Sequence, residues 1–326
     1  MKSHSIILLY ILVKCVSGQV QDGRHQSEHY GYEDPCPDAK DIAPCLCSYD
    51  SNHTNMYLYC DHIESEEQLR QIFKADFPFK NFKKFHLQDN NNIKVLEAGV
   101  FNGISFEVID IQHNMNLEVI ELEALDSCYE TVTEIKLSFN KIISFPFDEL
   151  SQLSKLRNFD ISGNSLTMIP ADAFNGLTAL ETLDISSNTN IVGTFQDLPN
   201  LREIRLSWNE LSTVPANFIK TGSSDLSFIN LYDNNISSVE PGAFDIVDGL
   251  DINMNKNSLS TLDEATWRPL LEVGGSVSAN DNLLICGCDI AWLFGEDQLL
   301  EHVDKWTNCN DGEFLHDLDP SIFDPC

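Results

Sequence analysis

Cysteines are the residues whose spacing most clearly predicts chemistry in this chain. Eight of the ten lie in two clusters, one near each end: Cys36, Cys45, Cys47, Cys60, Cys286, Cys288, Cys309 and Cys326. Clusters of four predict disulfide-bonded modules in an oxidising compartment, and a zinc site is the alternative that the spacing leaves open. Cys15 lies in the apolar N-terminal segment. Cys128 is left over, either as a buried free thiol or as one half of an intermolecular bond.

Catalytic motifs are missing from the sequence. It has no G-x-S-x-G, H-E-x-x-H, P-loop or glycine-rich dinucleotide motif. His86 and His113 would lie on adjacent strands, where they could approach each other, but two histidines without a third ligand do not make a metal site. We therefore expect that the protein is not an enzyme and that it binds no cofactor or metal. Its function should lie on an exposed face.

A repeated frame defines the elements that carry these residues. The frame L-x-x-L-x-L-x-x-N, in which L is any bulky apolar residue, ends at nine asparagines spaced 21 to 26 residues apart: Asn90, Asn114, Asn140, Asn164, Asn188, Asn209, Asn234, Asn257 and Asn282. This frame is the leucine-rich repeat, whose units bury their apolar faces only against their neighbours. We predict an α/β-type solenoid, a horseshoe with a parallel β-sheet on its concave face and disulfide-bonded caps at both ends.

The repeats give three further predictions. The asparagine side chains should bond backbone groups in a ladder, because buried backbone polar groups need partners. The turns after Asn90, Asn114 and Asn188 hold one more residue than the others and should be wider. The return segments should bury an apolar spine made of Phe101, Leu150, Phe174, Phe218, Phe244 and Trp267.

The ends of the chain predict its organisation and location. Lys2, the apolar run after it and Val16-Ser17-Gly18 are typical of a secretory signal peptide. The predicted parts are a signal peptide (1–18), a flexible lead-in (19–35), a cysteine-rich N-terminal cap (36–81), nine repeats (82–284) and a cysteine-rich C-terminal cap (285–326). Ser65 and Gln68 form a capping-box pattern that predicts a helix within the first cap. We expect a secreted, extracellular protein without a membrane span.

Charge restricts the kinds of partner. The chain has 20 basic and 51 acidic residues, a net charge of −31, which becomes −33 without Lys2 and Lys14. Such a charge repels nucleic acid and anionic membranes and favours cations and basic proteins. The acidic residues are densest between Asp289 and Asp324, where no calcium-loop motif occurs and a solvated surface is the simpler interpretation.

Two surface features have candidate functions. Asn52 and Asn235 begin glycosylation sequons. On the predicted concave face, alternating side chains point to solvent. Four of them form a candidate partner-binding patch: Arg205, Trp208, Phe228 and Tyr232. Exposed aromatic residues and arginine are typical interface anchors. The alternative is that these aromatic side chains only pack sideways against neighbouring repeats.

The order of motifs from residue 36 onward resembles a known family. The segments that carry the resemblance are Cys36-Pro37, Ile42-Ala43-Pro44-Cys45-Leu46-Cys47, Phe77-Pro78-Phe79, Asn90-Asn91-Asn92-Ile93 and Val100-Phe101-Asn102-Gly103. They look like the secreted crustacean leucine-rich-repeat proteins similar to the non-catalytic subunit of Oplophorus-luciferin 2-monooxygenase. The C-terminal cluster, Cys286-Gly287-Cys288 with Trp292, resembles the flanking domain of extracellular repeat proteins.

The resemblance implies a function and a disulfide pattern. It implies a secreted, non-catalytic protein that stabilises or carries a smaller catalytic subunit. It also implies Cys286–Cys309 and Cys288–Cys326 bonds, with two further bonds within the first cluster. An extracellular recognition or adhesion protein of the innate-immune or guidance type is the alternative, since such proteins share the repeats and the caps.

Overall fold

A computed structural model describes residues 34–121, 123–170, 172–188, 195–295 and 298–326. The predicted signal peptide with Cys15, the lead-in up to residue 33, and Glu296 and Asp297 of the acidic segment lie outside the described residues. The predicted boundaries between caps and repeats stay predictions.

The principal sheet has eleven strands within the described part of the chain. Its strands, which we number in chain order, are β1 Leu46–Tyr49, β2 Met56–Tyr59, β3 Asn81–Gln88, β4 Ser105–Gln112, β5 Glu134–Lys136, β6 Asn158–Asp160, β7 Thr182–Asp184, β8 Glu203–Arg205, β9 Phe228–Asn230, β10 Asp251–Asn253 and β11 Ser276–Ser278. Strands β1 and β2 are antiparallel, and every later neighbour pairs parallel in chain order. The predicted solenoid with a parallel sheet and disulfide-bonded caps is confirmed.

Short elements lie outside this sheet. Three two-strand ladders join return segments: Val95–Leu96 with Val119–Ile120, Phe195–Gln196 with Ile219–Lys220, and Thr213–Val214 with Ser238–Val239. The 3-10 helices are Asp126–Cys128, Phe147–Gln152, Cys288–Phe294, Leu299–His302, Leu315–Asp317 and Pro320–Phe323. None of the helices in the described ranges is long and apolar enough to span a bilayer.

The described part of the chain contains two α-helices, and the first was predicted. Helix α1, Glu66–Ile72, begins after Ser65, whose hydroxyl accepts from the Gln68 amide at 3.2 Å. The Gln68 side chain accepts in return from the Glu64 amide at 2.6 Å, one residue earlier than the usual capping box. Helix α2, Glu264–Glu272, was not predicted; it replaces a return segment and buries Trp267.

The core runs through all repeats as one continuous cluster. All six predicted spine residues are buried, which confirms that prediction. Aromatic rings are concentrated at the N-terminal end, where Phe73 packs at centroid distances of 5.2 Å from Phe101, 5.6 Å from Phe85 and 6.2 Å from Phe106. This cluster joins α1 to the first two repeats.

The asparagine ladder takes two forms, which follow the spacing of the repeats; the predicted wider turn after Asn188 lies outside the described residues. After Asn90, Asn114 and Asn188, the amide of the asparagine itself donates to the side-chain oxygen of the next ladder asparagine, at 2.8–3.0 Å. In the other repeats the donor is the amide two residues later, as for Ile142 to Asn164 at 2.9 Å. The ladder prediction is confirmed, and the three repeats set apart by spacing differ in their hydrogen bonding.

Disulfide bonds close both caps. The N-terminal pairs are Cys36–Cys47 and Cys45–Cys60. The C-terminal pairs are Cys286–Cys309 and Cys288–Cys326, which are those the family resemblance implies. Because zinc binds thiolates, bonded sulfurs remove the zinc alternative for both clusters. Cys128 is a buried free thiol, and burial raises its pKa to about 11.

Candidate partner-binding site

A row of side chains lines the edge of the sheet where the strands end. These are the residues directly before the ladder asparagines, and all nine have left-handed backbone with φ between 53° and 63°: Asp89, His113, Phe139, Gly163, Ser187, Trp208, Asp233, Lys256 and Asp281. We call this row the rim. Left-handed backbone is unfavourable for residues other than glycine, asparagine and aspartate. Its recurrence shows that the ladder imposes one turn on every repeat, whatever residue the rim carries.

Trp208 and Tyr232 form an aromatic pair at the rim. Their ring centroids lie 5.4 Å apart, and the Trp208 amide donates to the Tyr232 carbonyl at 2.9 Å. Trp208 is 54% exposed, and Tyr232 lies one residue before the rim and is half-buried. The Lys256 ammonium nitrogen lies 5.1 Å from the Tyr232 ring centroid. A tryptophan exposed to this extent beside a second ring is available to anchor a partner.

The other two predicted patch residues lie beside this pair without joining it. Arg205 is exposed, but its guanidinium is 2.7 Å from Glu203 and 3.7 Å from Asp184, and so points toward the preceding strand. Phe228 is half-buried and lies directly across from Glu203 in the next strand. The carboxylates of β7 and β8 therefore draw Arg205 away from the rings.

A second rim aromatic escaped the sequence-based prediction of the patch. Phe139 is 54% exposed and stacks on His113 at 5.0 Å with nearly parallel rings. In the next repeat the rim residue is Gly163, and a Cβ added there would lie 2.9 Å from the Phe139 ring. Gly163 therefore leaves space into which Phe139 leans. The signal in the sequence was a glycine one repeat after an aromatic residue at the same position of the frame.

A polar groove of about 260 Å³ lies on the sheet below the rim, and its lining includes the ends of β5 to β8. Asp160 accepts from the Ser162 amide at 2.9 Å and from its hydroxyl at 2.6 Å, and Asp184 accepts from the Ser186 amide at 3.0 Å. Burial raises the pKa of Asp184, and the neighbouring Asp160 raises it further, against the opposing effects of Ser186 and Arg205. Negative charge is therefore crowded in this groove.

The two histidines that the sequence places on adjacent strands have different partners. His86 lies 3.2 Å from the Asp110 carboxylate, whereas His113 stacks on Phe139 at the rim. Burial acts to raise the pKa of Asp110, but hydrogen bonds from Lys84, Gln112 and His86 together hold it below its ordinary value. Across the described ranges, no group of three or more histidines, cysteines or carboxylates is arranged to hold a metal ion.

Comparison with known proteins agrees with this architecture. Residues 154–211 match the Leucine rich repeat family. A solved structure of a TLR13–ssRNA13 complex superposes with a TM-score of 0.57 at 23% identity, covering 68% of this chain and 31% of that one. A chain from an octameric complex of Latrophilin 3, Unc5D and FLRT2 superposes with a TM-score of 0.58 at 20% identity, covering 89% of this chain and 99% of that one. At these identities they show the fold alone. The molecule is thus a leucine-rich-repeat protein with disulfide-bonded caps.

A curated relative identifies the family more narrowly. The chain is 30% identical over 343 aligned positions to the Oplophorus-luciferin 2-monooxygenase non-catalytic subunit of Oplophorus gracilirostris, covering 97% of this chain and 95% of the relative. The chain belongs to the family of leucine-rich-repeat proteins that includes this subunit.

Proposed function

We propose that this protein is a secreted, non-catalytic subunit that binds another extracellular protein through the rim around Trp208 and Tyr232. Its relative along almost the whole chain is named as the non-catalytic subunit of a monooxygenase, which supports a role beside a catalytic chain. By analogy, the partner is a smaller protein that carries out the oxidation. In this proposal the present chain supplies no catalytic residue and no cofactor.

The observation that carries the proposal is the exposed Trp208 ring, which packs beside the half-buried Tyr232 ring at the edge of the sheet. Aromatic and arginine side chains supply a large share of the binding energy at protein interfaces, mostly near the centre of the contact. The left-handed turn and the asparagine ladder hold Trp208 in place without closing it off from solvent. Binding to such a surface loses little conformational entropy, which favours a stable complex.

The test is capture of the co-secreted catalytic protein by the tagged chain and by its Trp208→Ala/Tyr232→Ala variant. We expect the unaltered chain to retain a stoichiometric smaller protein that emits light with Oplophorus luciferin, and the variant to bind it at least tenfold more weakly. Leu283→Ala/Ile285→Ala is the matched control, because both side chains are more than half exposed elsewhere on the solenoid. This control should bind normally.

Two outcomes would contradict the proposal. Light from the isolated chain would make it an enzyme, and capture that the aromatic substitutions leave unchanged would move the binding surface elsewhere. Retention of cell-surface receptors or glycans without light would instead favour the alternative class, an extracellular recognition or adhesion protein.

We also propose secretion with N-linked glycans at Asn52 and Asn235, both of which are exposed. Digestion of the secreted protein with N-glycosidase in H₂¹⁸O should convert both asparagines to ¹⁸O-labelled aspartate. The variants Thr54→Ala and Ser237→Ala should each remove one labelled site and leave the other. Unlabelled asparagine at both positions in the secreted protein would reject this part of the proposal.

A further inference from the structure

The rim has a gap between its two exposed aromatic residues. Phe139 and Trp208 are separated by two small rim residues, Gly163 and Ser187. Strands lie about 4.8 Å apart, so the Phe139 ring, which leans over Gly163, is roughly 10 Å from the Trp208 position. We call the gap between these four residues the slot. An α-helix of about 10–12 Å diameter does not fit into it, whereas one extended chain does.

The slot opens onto the polar groove. Ser186 and Ser207 directly precede the slot residues Ser187 and Trp208 in the chain. The Ser207 hydroxyl donates to the Ser186 hydroxyl at 3.0 Å. Asp184 lies two residues before Ser186, and Asp160 is its paired residue in the neighbouring strand β6. Each of these two carboxylates belongs to the residue three positions before the rim residue of its own repeat, Gly163 or Ser187.

Charges in the groove do not balance. Four carboxylates (Glu134, Asp160, Asp184 and Glu203) share the lining with two cations, Lys136 and Arg205. Lys136 is held by Glu134 at 2.5 Å and Arg205 by Glu203 at 2.7 Å. Arg205 approaches Asp184 only to 3.7 Å, and among the described residues Asp160 has no ion pair. Asp184 therefore shares the Arg205 guanidinium with Glu203, and the carboxylates of the groove outnumber its cations by two.

We propose that the slot and the groove together bind an extended segment of the partner protein that carries an arginine. This inference rests on the proposed function and names the chemistry of its partner. The segment lies between Phe139 and Trp208, and the guanidinium passes the serines to Asp160 and Asp184. Arginine fits better than lysine, because its planar guanidinium stacks on aromatic faces and bonds carboxylates with two parallel hydrogen bonds. A chain of net charge −31 also draws a basic segment toward this face.

The conservative test variant is Asp160→Asn/Asp184→Asn. The chain itself uses asparagine at the same strand position in later repeats, where Asn230 accepts from the Tyr232 amide at 3.1 Å and Asn253 from the Asn255 amide at 3.0 Å. Asparagine can therefore accept the same backbone bonds at positions 160 and 184, and only the charge is lost. The matched control, Asp317→Asn/Asp324→Asn, removes the same charge from exposed positions in the C-terminal cap.

The probe is a fluorescein-labelled decapeptide of serine, leucine and two arginines, compared with the same peptide in which citrulline replaces both arginines. By fluorescence anisotropy with the full chain, we expect the arginine peptide to bind at least tenfold more tightly. Asp160→Asn/Asp184→Asn should remove that difference, and the control should keep it within twofold. Phe139→Ala and Trp208→Ala should each weaken binding of both peptides.

Three results would overturn the inference. The first is equal affinity for the two peptides, and the second is an equal loss of arginine preference in the cap control. The third is full displacement of the arginine peptide by a hexamer of N-acetylglucosamine, with the same hexamer affinity in Asp160→Asn/Asp184→Asn. That third result would show that the aromatic rings bind carbohydrate. Partner capture distinguishes the two proposals. One result is that capture of the partner protein is lost with Trp208→Ala/Tyr232→Ala and stays normal with Asp160→Asn/Asp184→Asn. That result would support the proposed function and reject the inference that the partner binds through an arginine.

Discussion

Replacing Phe73 with alanine is expected to lower the free energy of unfolding by about 3–5 kcal/mol, the cost of removing a fully buried phenylalanine. Its ring is inaccessible to solvent and lies within 5.2–6.2 Å of the rings of Phe77, Phe85, Phe101 and Phe106. Edge-to-face contacts with three of these rings add to the loss of buried area. The midpoint of thermal unfolding, followed by circular dichroism, should fall by roughly 6–15 °C.

Phe79→Ala is the matched control, because Phe79 is half exposed and lies in the same cap. It should shift the midpoint by less than a fifth as much.

The position of Phe73 also predicts where unfolding starts. Solenoids are stabilised by contacts between neighbouring units, so amides of β3 and β4 should lose protection from hydrogen exchange before those of β9 and β10. Uniform loss along the chain, or an equal effect of Phe79→Ala, would show that the aromatic cluster does not stabilise this end.

Asn114→Ala should destabilise the protein by about 3 kcal/mol through the loss of hydrogen bonds in the ladder. Asn114 is fully buried, its side-chain oxygen accepts from the Asn90 amide at 2.9 Å, and its amide group donates to the carbonyls of Leu87 and Gln112 at 3.0 Å. Alanine removes the side-chain partner of three backbone groups at a buried position. Each such group costs roughly 1–3 kcal/mol, partly recovered by relaxation.

Urea unfolding measures this effect, with Asn175→Ala as the control. Asn175 is exposed in a return segment, and its substitution should change stability by less than about 0.5 kcal/mol. A second comparison, Asn114→Asp, keeps the acceptor but loses both donated bonds and buries a carboxylate; it should be at least as destabilising as alanine. A loss below 1 kcal/mol for Asn114→Ala would mean that backbone contacts alone hold the turns.

The sequence by itself determined the solenoid and its ladder of nine asparagines, because each repeat contains its own frame. An asparagine at the end of an apolar frame predicts a turn whatever the rest of the chain does. The three repeats with a different ladder bond, after Asn90, Asn114 and Asn188, were visible in the sequence as one extra residue. Helix α1 was visible for the same reason, since its cap and apolar face lie within nine residues of one another.

Only the tertiary structure decided how side chains from different repeats are combined. The sequence places Arg205 near the aromatic pair, but the carboxylates of Glu203 and Asp184 hold it on the side of the preceding strand. It places His86 and His113 on neighbouring strands, yet one bonds Asp110 and the other stacks on Phe139. Partners more than twenty residues apart compete for each rim or groove side chain. The partner that each side chain contacts depends on the rotamers and charges of residues on several strands. No single repeat contains that information.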